Sequence, residues 1–233
     1  METFCPLHID LKGRKTLVVG GGSVARRKVE VLLEYGADLT IVSPELSRCL
    51  ENRLGVNNIA YIKDHYRPAY LKDKFLVICA TDNEAINRQV AFDCTDRGIL
   101  VNSVSEPDFC TFFFPALLKK GSLTVAISTA GKSPALSRRI KKQLDHFFSP
   151  VYETYLNYLG EMRPRIMAEI TDAKRRRKIF TLLAGDHFFN FFTESPRSEV
   201  DETVEKLIAG KIPDAFQDGL RSGSQAVPEE DGD

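Results

Sequence analysis

Leu17-Val18-Val19-Gly20-Gly21-Gly22-Ser23-Val24-Ala25-Arg26-Arg27-Lys28 decides the fold of this 233-residue chain. An apolar strand runs into three glycines and straight into a helix, the arrangement that cradles a nucleotide pyrophosphate. Gly20 can turn the chain sharply, Gly22 lets backbone approach a phosphate without a Cβ, and Ala25 permits close helix-to-strand packing, so the spacing is G-x-G-x-x-A. The helix then aims its free N–H groups and the positive end of its dipole at the anion. An ordinary glycine-rich turn has the same spacing, so the flanking sequence has to discriminate. Ala25, Val29, Leu32 and Leu33 recur at helical spacing, Gly36 stands where a C-terminal glycine belongs, and Leu39-Thr40-Ile41-Val42 follows as a second buried strand. That is the setting a phosphate cradle requires.

The second strand ends in Ser43-Pro44-Glu45, about 20 residues past the glycines, where an acidic residue usually takes the adenosine ribose hydroxyls. Glu45 can serve, and Ser43 can bond the ribose; Arg48 leaves a phosphorylated ribose open. NAD is favoured over NADP. Farther on, Ala60-Tyr61-Ile62 reads as a short strand and Phe75-Leu76-Val77-Ile78-Cys79-Ala80 as a fully buried one, the unbroken apolar run typical of parallel sheets. Thr81-Asp82-Asn83 forms a loop and helix cap, Ile86, Val90 and Cys94 share a helix face, and Gly98 precedes a strand at Ile99-Leu100-Val101. The alternation predicts an α/β fold with a Rossmann-like, doubly wound parallel sheet and ligands over the carboxyl ends of its strands. Thr81, Asp82 and Asn102 sit at such ends and are candidates for contacts near nicotinamide or substrate; for Asp82, plain helix capping is an equal alternative.

The pattern changes at Pro107. Residues 111–118 and 123–128 read as two strands joined by Lys119-Lys120-Gly121-Ser122, a hairpin, and Phe109, Phe112, Phe113 and Phe114 crowd beside it as core or subunit interface. We read the hairpin as a dimerisation element. In Ser128-Thr129-Ala130-Gly131-Lys132-Ser133-Pro134, Ser133 can cap a helix that has Pro134 at its first position and runs to about Phe148. Lysine, hydroxyls and helix start, with Arg138 and Arg139 one turn on, make a candidate anion site; an ordinary capped helix is the alternative. From Pro150 the chain reads as amphipathic helix broken by Pro164. Its run Lys174-Arg175-Arg176-Arg177-Lys178 fits a solvated face, and the polar, acidic end from Ser222 fits a disordered tail. The expected organisation is therefore 1–113 nucleotide domain, 114–149 dimerisation and substrate-cleft segment, 150–212 helical domain and 213–233 tail.

Composition narrows the function classes. Thirty-two basic and 32 acidic residues cancel, so nothing global points to nucleic acid or an anionic membrane. Cys5, Cys49, Cys79, Cys94 and Cys110 contain no C-x-x-C pair and suit reduced thiols, and the four histidines lack metal-ligand spacing, so no metal site is expected. No apolar run suffices to span a bilayer and the first residues lack a signal-peptide pattern, which predicts a cytoplasmic protein.

Several of these segments converge. Phe4-Cys5-Pro6-Leu7, the segment from Gly20 to Lys28, Ala80-Thr81-Asp82-Asn83, Asn102-Ser103-Val104 and the segment from Ser128 to Pro134 resemble, in order and spacing, the precorrin-2 dehydrogenase and sirohydrochlorin ferrochelatase family. The likeness is to stand-alone relatives of the N-terminal module of siroheme synthase and covers about residues 1–150. It implies NAD-dependent oxidation of precorrin-2 to sirohydrochlorin, in some members iron insertion, and homodimers formed through the segment after the nucleotide domain. Carried over, Gly20, Gly22, Ser23 and Val24 would hold pyrophosphate, Pro44 and Glu45 the adenosine side, and Thr81 and Asp82 the region near nicotinamide. The methyltransferase module of the fused enzymes is not expected within this length.

Precorrin-2 carries many carboxylates, which Lys132, Arg138 and Arg139 can meet with charge and Ser128, Thr129 and Ser133 with hydroxyls. The chain departs from the family at the aspartate proposed as catalytic, where it has Ser105 followed by Glu106. A serine without a partnered base takes no proton at neutral pH, and Glu106 can replace it only if the loop bends, because neighbours in an extended chain face opposite ways. This departure bears on iron chelation most. It also favours an alternative, a non-catalytic nucleotide- or tetrapyrrole-binding regulator of the same fold. A third reading, a nucleotide-gated regulatory domain of a potassium channel, fits about the first hundred residues but not the segment from Ser128 to Pro134.

Overall fold

The computed structural model describes residues 4–54, 59–213 and 216. They group into two compact units that meet in sequence between Phe114 and Pro115.

The first unit is a five-stranded, all-parallel sheet of β1 (Lys15–Val19), β2 (Asp38–Val42), β3 (Ala60–Ile62), β4 (Leu76–Cys79) and β5 (Leu100–Ser103), ordered β3-β2-β1-β4-β5. Helices α1 (Ser23–Glu34), α2 (Arg48–Leu54) and α3 (Glu84–Thr95) cover it on both faces. Because side chains alternate along a strand, Val18, Ile41 and Ile78 pack with Ala25, Val29 and Leu32 of α1 and Leu50 of α2. Leu17, Val19, Val77 and Val101 turn the other way, onto Val90, Ala91 and Cys94 of α3. Two buried faces explain why these strands are apolar at nearly every position. Each aliphatic side chain so buried contributes roughly 1.5–3 kcal/mol. The connections run outward from β1 in one direction and from β4 in the other, so the strand order reverses between them. There the carboxyl ends open a crevice.

Local signals act as the sequence predicts. Gly36, at φ +72°, ends α1 in a conformation a side chain would resist, and Asn83 caps α3 by accepting from the Ile86 N–H at 3.2 Å. The seven-residue α2 was not foreseen: it has one buried anchor, Leu50, too little for a period to show.

The second unit contains the hairpin β6 (Ala116–Lys120) and β7 (Leu123–Ile127), helix α4 (Pro134–Phe147) packed on that hairpin, and helices α5 (Val151–Glu169), α6 (Ala173–Leu183), α7 (Asp186–Glu194) and α8 (Arg197–Ile208). The hairpin is tighter than predicted. It turns at Gly121 and Ser122, and β6 starts at 116 because Thr111 belongs to the first unit, its N–H donating to Val101 O at 2.9 Å and its Oγ1 accepting from Val101 N at 2.8 Å. Pro164 does not break the helix as predicted. It lies inside α5, flanked by buried Tyr155 and Tyr158 on one side and Ile166 on the other, all in one apolar cluster with α6, α7 and α8. That packing outweighs an intrinsic penalty of about 3 kcal/mol for an interior proline. The basic run is likewise only partly a solvated face: Arg175 donates to the carbonyls of Leu207 and Ile208 and Arg176 to those of Ile170 and Thr171, tying down helix ends. The predicted disordered end from Ser222 lies outside the described residues.

Candidate functional site

A cleft of about 1030 Å³ lies over the carboxyl ends of β1, β2 and β4, walled by Gly20–Gly22, the residues 43–47 after β2, His65, and the residues 81–86 that lead into α3. Each glycine has a different task. Gly20 leaves β1 at φ +121°, and a Cβ there would lie 2.2 Å from Ala80 O. At Gly21 a Cβ would lie 2.0 Å from Glu45 O, because the loop after β2 crosses here and Ser47 N–H donates to Gly21 O at 2.8 Å. Gly22 is exposed, and its Cβ position is open, with nothing within 4 Å. It precedes α1 without a side-chain cap, so the first-turn N–H groups, including those of exposed Ser23 and half-buried Val24, face outward without helical acceptors. An open approach, uncapped donors and a helix dipole fit a dinucleotide pyrophosphate. The motif gives Gly20 the turn and Gly22 the close approach; the task of Gly21 was missed. The signal was there: three glycines stand where the motif asks for two.

On the adenosine side, Pro44 and Glu45 are exposed on the cleft wall, as the ribose reading needs. Ser43 also lines the cleft but is buried, its Oγ donating to Glu45 O at 2.6 Å and its carbonyl accepting from Tyr61 Oη–H at 3.0 Å, so its hydroxyl hydrogen shapes the loop and only its oxygen is left to accept from ribose. The wall also includes His65 and Ser47, both missed. His65 was weighed only for metal spacing, and the Ser47 hydroxyl is buried without a partner. Beside His65, a 2.5 Å hydrogen bond from Tyr70 holds the Asp64 carboxyl below its ordinary range.

At the other end, Asn83 takes the capping role, which leaves Asp82 exposed on the cleft wall. Thr81 is half-buried and clamped by Asn87, a fully buried residue of α3 that sequence reading passed over. Asn102 is a correction. It is buried, its amide donating to Phe112 O at 3.0 Å, so it braces the chain after β5. Ser105 is exposed and accepts from Asn87 Nδ2 at 2.9 Å. The Glu106 carboxylate, the substitute base of the sequence reading, accepts from Arg88 of α3 at 2.8 Å and so stands in an ion pair.

The predicted substrate residues cluster at the start of α4. Ser128 Oγ accepts from Ala130 N–H at 3.1 Å, Thr129 Oγ1 from Ser133 N–H at 3.1 Å and Ser137 Oγ at 3.2 Å, and Ser133 Oγ from Leu136 N–H at 3.3 Å. Each oxygen thus serves as acceptor inside the loop, and each hydroxyl keeps its own hydrogen to donate. Lys132, Arg138 and Arg139 are exposed beside them. Among the described residues there is no group of three or more His, Cys, Asp or Glu able to hold a metal ion, and no helix long and apolar enough to cross a membrane.

Comparison with known proteins places this geometry. An NAD(P)-binding family matches residues 7–116, and the family of the sirohaem biosynthesis protein central segment matches residues 120–146. The siroheme synthase of Photorhabdus laumondii is 34% identical over 205 residues, 88% of this chain and 44% of that protein. That of Psychrobacter cryohalolentis is 36% identical over 180 residues, 77% of this chain and 34% of that protein. The chain thus spans less than half the length of these curated relatives. A solved structure of SirC, precorrin-2 dehydrogenase, matches with a TM-score of 0.74 and 28% identity, covering 88% of this chain and 98% of that one. With an NAD(P)-binding unit followed by the sirohaem central segment, the chain belongs to the siroheme synthase and precorrin-2 dehydrogenase family.

Proposed function

We propose that this protein catalyses NAD-dependent dehydrogenation of precorrin-2 to sirohydrochlorin in siroheme biosynthesis. The observation that carries the reading is the open glycine cradle at α1, set in a fold that matches a precorrin-2 dehydrogenase over 98% of that protein's length. Gly20, Gly21 and Gly22 bring backbone to the pyrophosphate, and the N–H groups of Ser23 and Val24 face its charge. Glu45 reads the ribose hydroxyls, which selects NAD over NADP. Thr81 and Asp82 border the nicotinamide end. When bound, NAD accepts a hydride. Lys132, Arg138 and Arg139 meet substrate carboxylates as point and forked cations, and the hydroxyls of Ser128, Thr129 and Ser133 donate to the same groups. With Glu106 paired to Arg88, the proton from the macrocycle leaves to solvent, and positioning carries most of the rate.

The hairpin supplies a homodimer interface: of its ten residues only Leu118 is buried, while Leu117, Leu123, Val125 and Ile127 remain half-buried within one chain. Five free cysteines suit the reducing cytoplasm, and the balanced net charge supplies no global attraction for nucleic acid. Anaerobic incubation with precorrin-2 and NAD, followed by absorption spectra, tests the activity. Sirohydrochlorin should accumulate with one NADH and one proton formed per molecule, the balance of a two-electron oxidation. Tight binding of nucleotide and tetrapyrrole without turnover would establish the second reading, a regulatory binding protein, which the serine at 105 and the Glu106–Arg88 pair favour.

A further inference from the structure

We infer that Asn87 holds Ser105 as a hydrogen-bond donor for the carboxamide oxygen of the nicotinamide, with Ser105 the contacting group and Asn87 a positioning residue. The inference rests on the NAD-dependent reading above and concerns what replaces a carboxylate at this loop.

Asn87 is fully buried, and all its hydrogen-bonding capacity is used. Its Oδ1 accepts from Thr81 N at 3.2 Å and Thr81 Oγ1 at 2.8 Å, and its Nδ2 donates to Thr81 O and to Ser105 Oγ, both at 2.9 Å. Capping of α3 does not require it, since Asn83 performs that task. Three of the four bonds clamp Thr81, two residues past the end of β4. The fourth reaches 18 residues along the chain to Ser105, two residues past the end of β5.

The strand register makes this a matched pair. Cys79 of β4 lies opposite Ser103 of β5, so Thr81 and Ser105 stand two residues beyond partnered positions, side by side at the carboxyl edge. Thr81 lines the cleft. With the phosphates at α1 and the adenosine over the end of β2, the remaining half of a dinucleotide runs toward β4 and β5.

The direction of the fourth bond decides the chemistry. An amide nitrogen can only donate, so Ser105 Oγ must accept. Its own O–H is left for another acceptor, and Ser105 is exposed. A carboxylate at this position would present lone pairs to the ligand; this serine presents a proton. A carboxamide oxygen is the acceptor of matching polarity, and a buried amide that fixes the serine from behind spares it the ordering cost on binding.

Calorimetric titration of the full chain with NAD⁺ and with ADP-ribose, which lacks the nicotinamide, tests the inference. Ser105→Ala should weaken NAD⁺ by about 5–10-fold, the value of one neutral hydrogen bond, and leave ADP-ribose unchanged; Ser105→Thr should restore NAD⁺ affinity. Asn87→Ala should reproduce the selective loss. Since it strips Thr81 of its partners and threatens folding, Asn87→Ser, which keeps a smaller polar group, is measured beside it. Equal loss of both ligands in Ser105→Ala would reveal a merely structural role and overturn the inference. Unchanged NAD⁺ affinity with a raised KM for precorrin-2 would overturn it too, by sending the donor to the substrate. Failure of the wild-type chain to bind NAD⁺ would instead bring down the nucleotide reading itself.

Discussion

A methyl group added at Gly22 meets no protein atom within 4 Å, whereas one at Gly21 would lie 2.0 Å from the Glu45 carbonyl oxygen. The two substitutions should therefore fail differently. Gly22→Ala should keep its melting temperature within about 2 °C yet lose NAD affinity by roughly tenfold or more, because the added Cβ occupies the approach of the phosphate. Gly21→Ala should lose stability first, by about 2 kcal/mol or more, since backbone rather than a flexible side chain must give way. Calorimetry of folding and of nucleotide titration separates the two. Glu106 gives a third test at this scale. Its partner Arg88 is 55% exposed, so the ion pair is worth no more than about 1 kcal/mol, and Glu106→Gln should hold kcat within about twofold of wild type. A large drop in kcat with little change in stability would return the base role to this residue.

At the scale of elements, the helices of the second unit are tied by ion pairs whose carboxylates sit below their ordinary range. Lys120 of β6 lowers Asp145 of α4, Lys206 lowers Glu202 within α8, and Arg165 of α5 lowers Glu205 of α8. The sign follows from linkage. A carboxylate depressed in the folded state adds stability above its unfolded value, near pH 4, and loses that contribution as pH falls through the lower folded value, because the unfolded chain then binds more protons. Urea midpoints of the second unit should hold from pH 7 to about 5 and fall below about 4. These groups are exposed, so the acid loss should be modest and should shrink in about 0.5 M salt. An acid limb insensitive to salt would place its origin elsewhere.

For the whole molecule the cysteines report the packing. Cys5 and Cys49 are exposed, while Cys79, Cys94 and Cys110 are buried and burial raises all three thiols, Cys94 to about 12. A thiol-reactive chromophore at about pH 8 should count two fast thiols in the native protein and five after denaturation. Fast reaction of a third would show that the sheet or the Cys110 loop opens. Much of the molecule at this scale was legible beforehand. The strand-helix alternation, the turn at Gly36 and the cap at Ser133 depend on residues a few positions apart, and local rules are strong there. Less of the site was legible. Asn102 looks like a ligand residue in sequence and proves to be a brace, because its partner Phe112 lies 10 residues away.

The sequence by itself determined that a phosphate-cradling strand-turn-helix opens a parallel sheet, because glycine sterics and hydrophobic period are properties of a short segment. It also determined the order of motifs that marks the family. Only the tertiary structure decided why Gly21 must be a glycine, that Pro164 stays in its helix, that Glu106 is occupied by Arg88 and that Asn87 links Thr81 to Ser105. Each of these is a contact between segments brought together by the sheet register or by a shared core. Hydrogen bonds and close packing act over about 3–4 Å of space whatever the distance along the chain, so no local pattern could announce them.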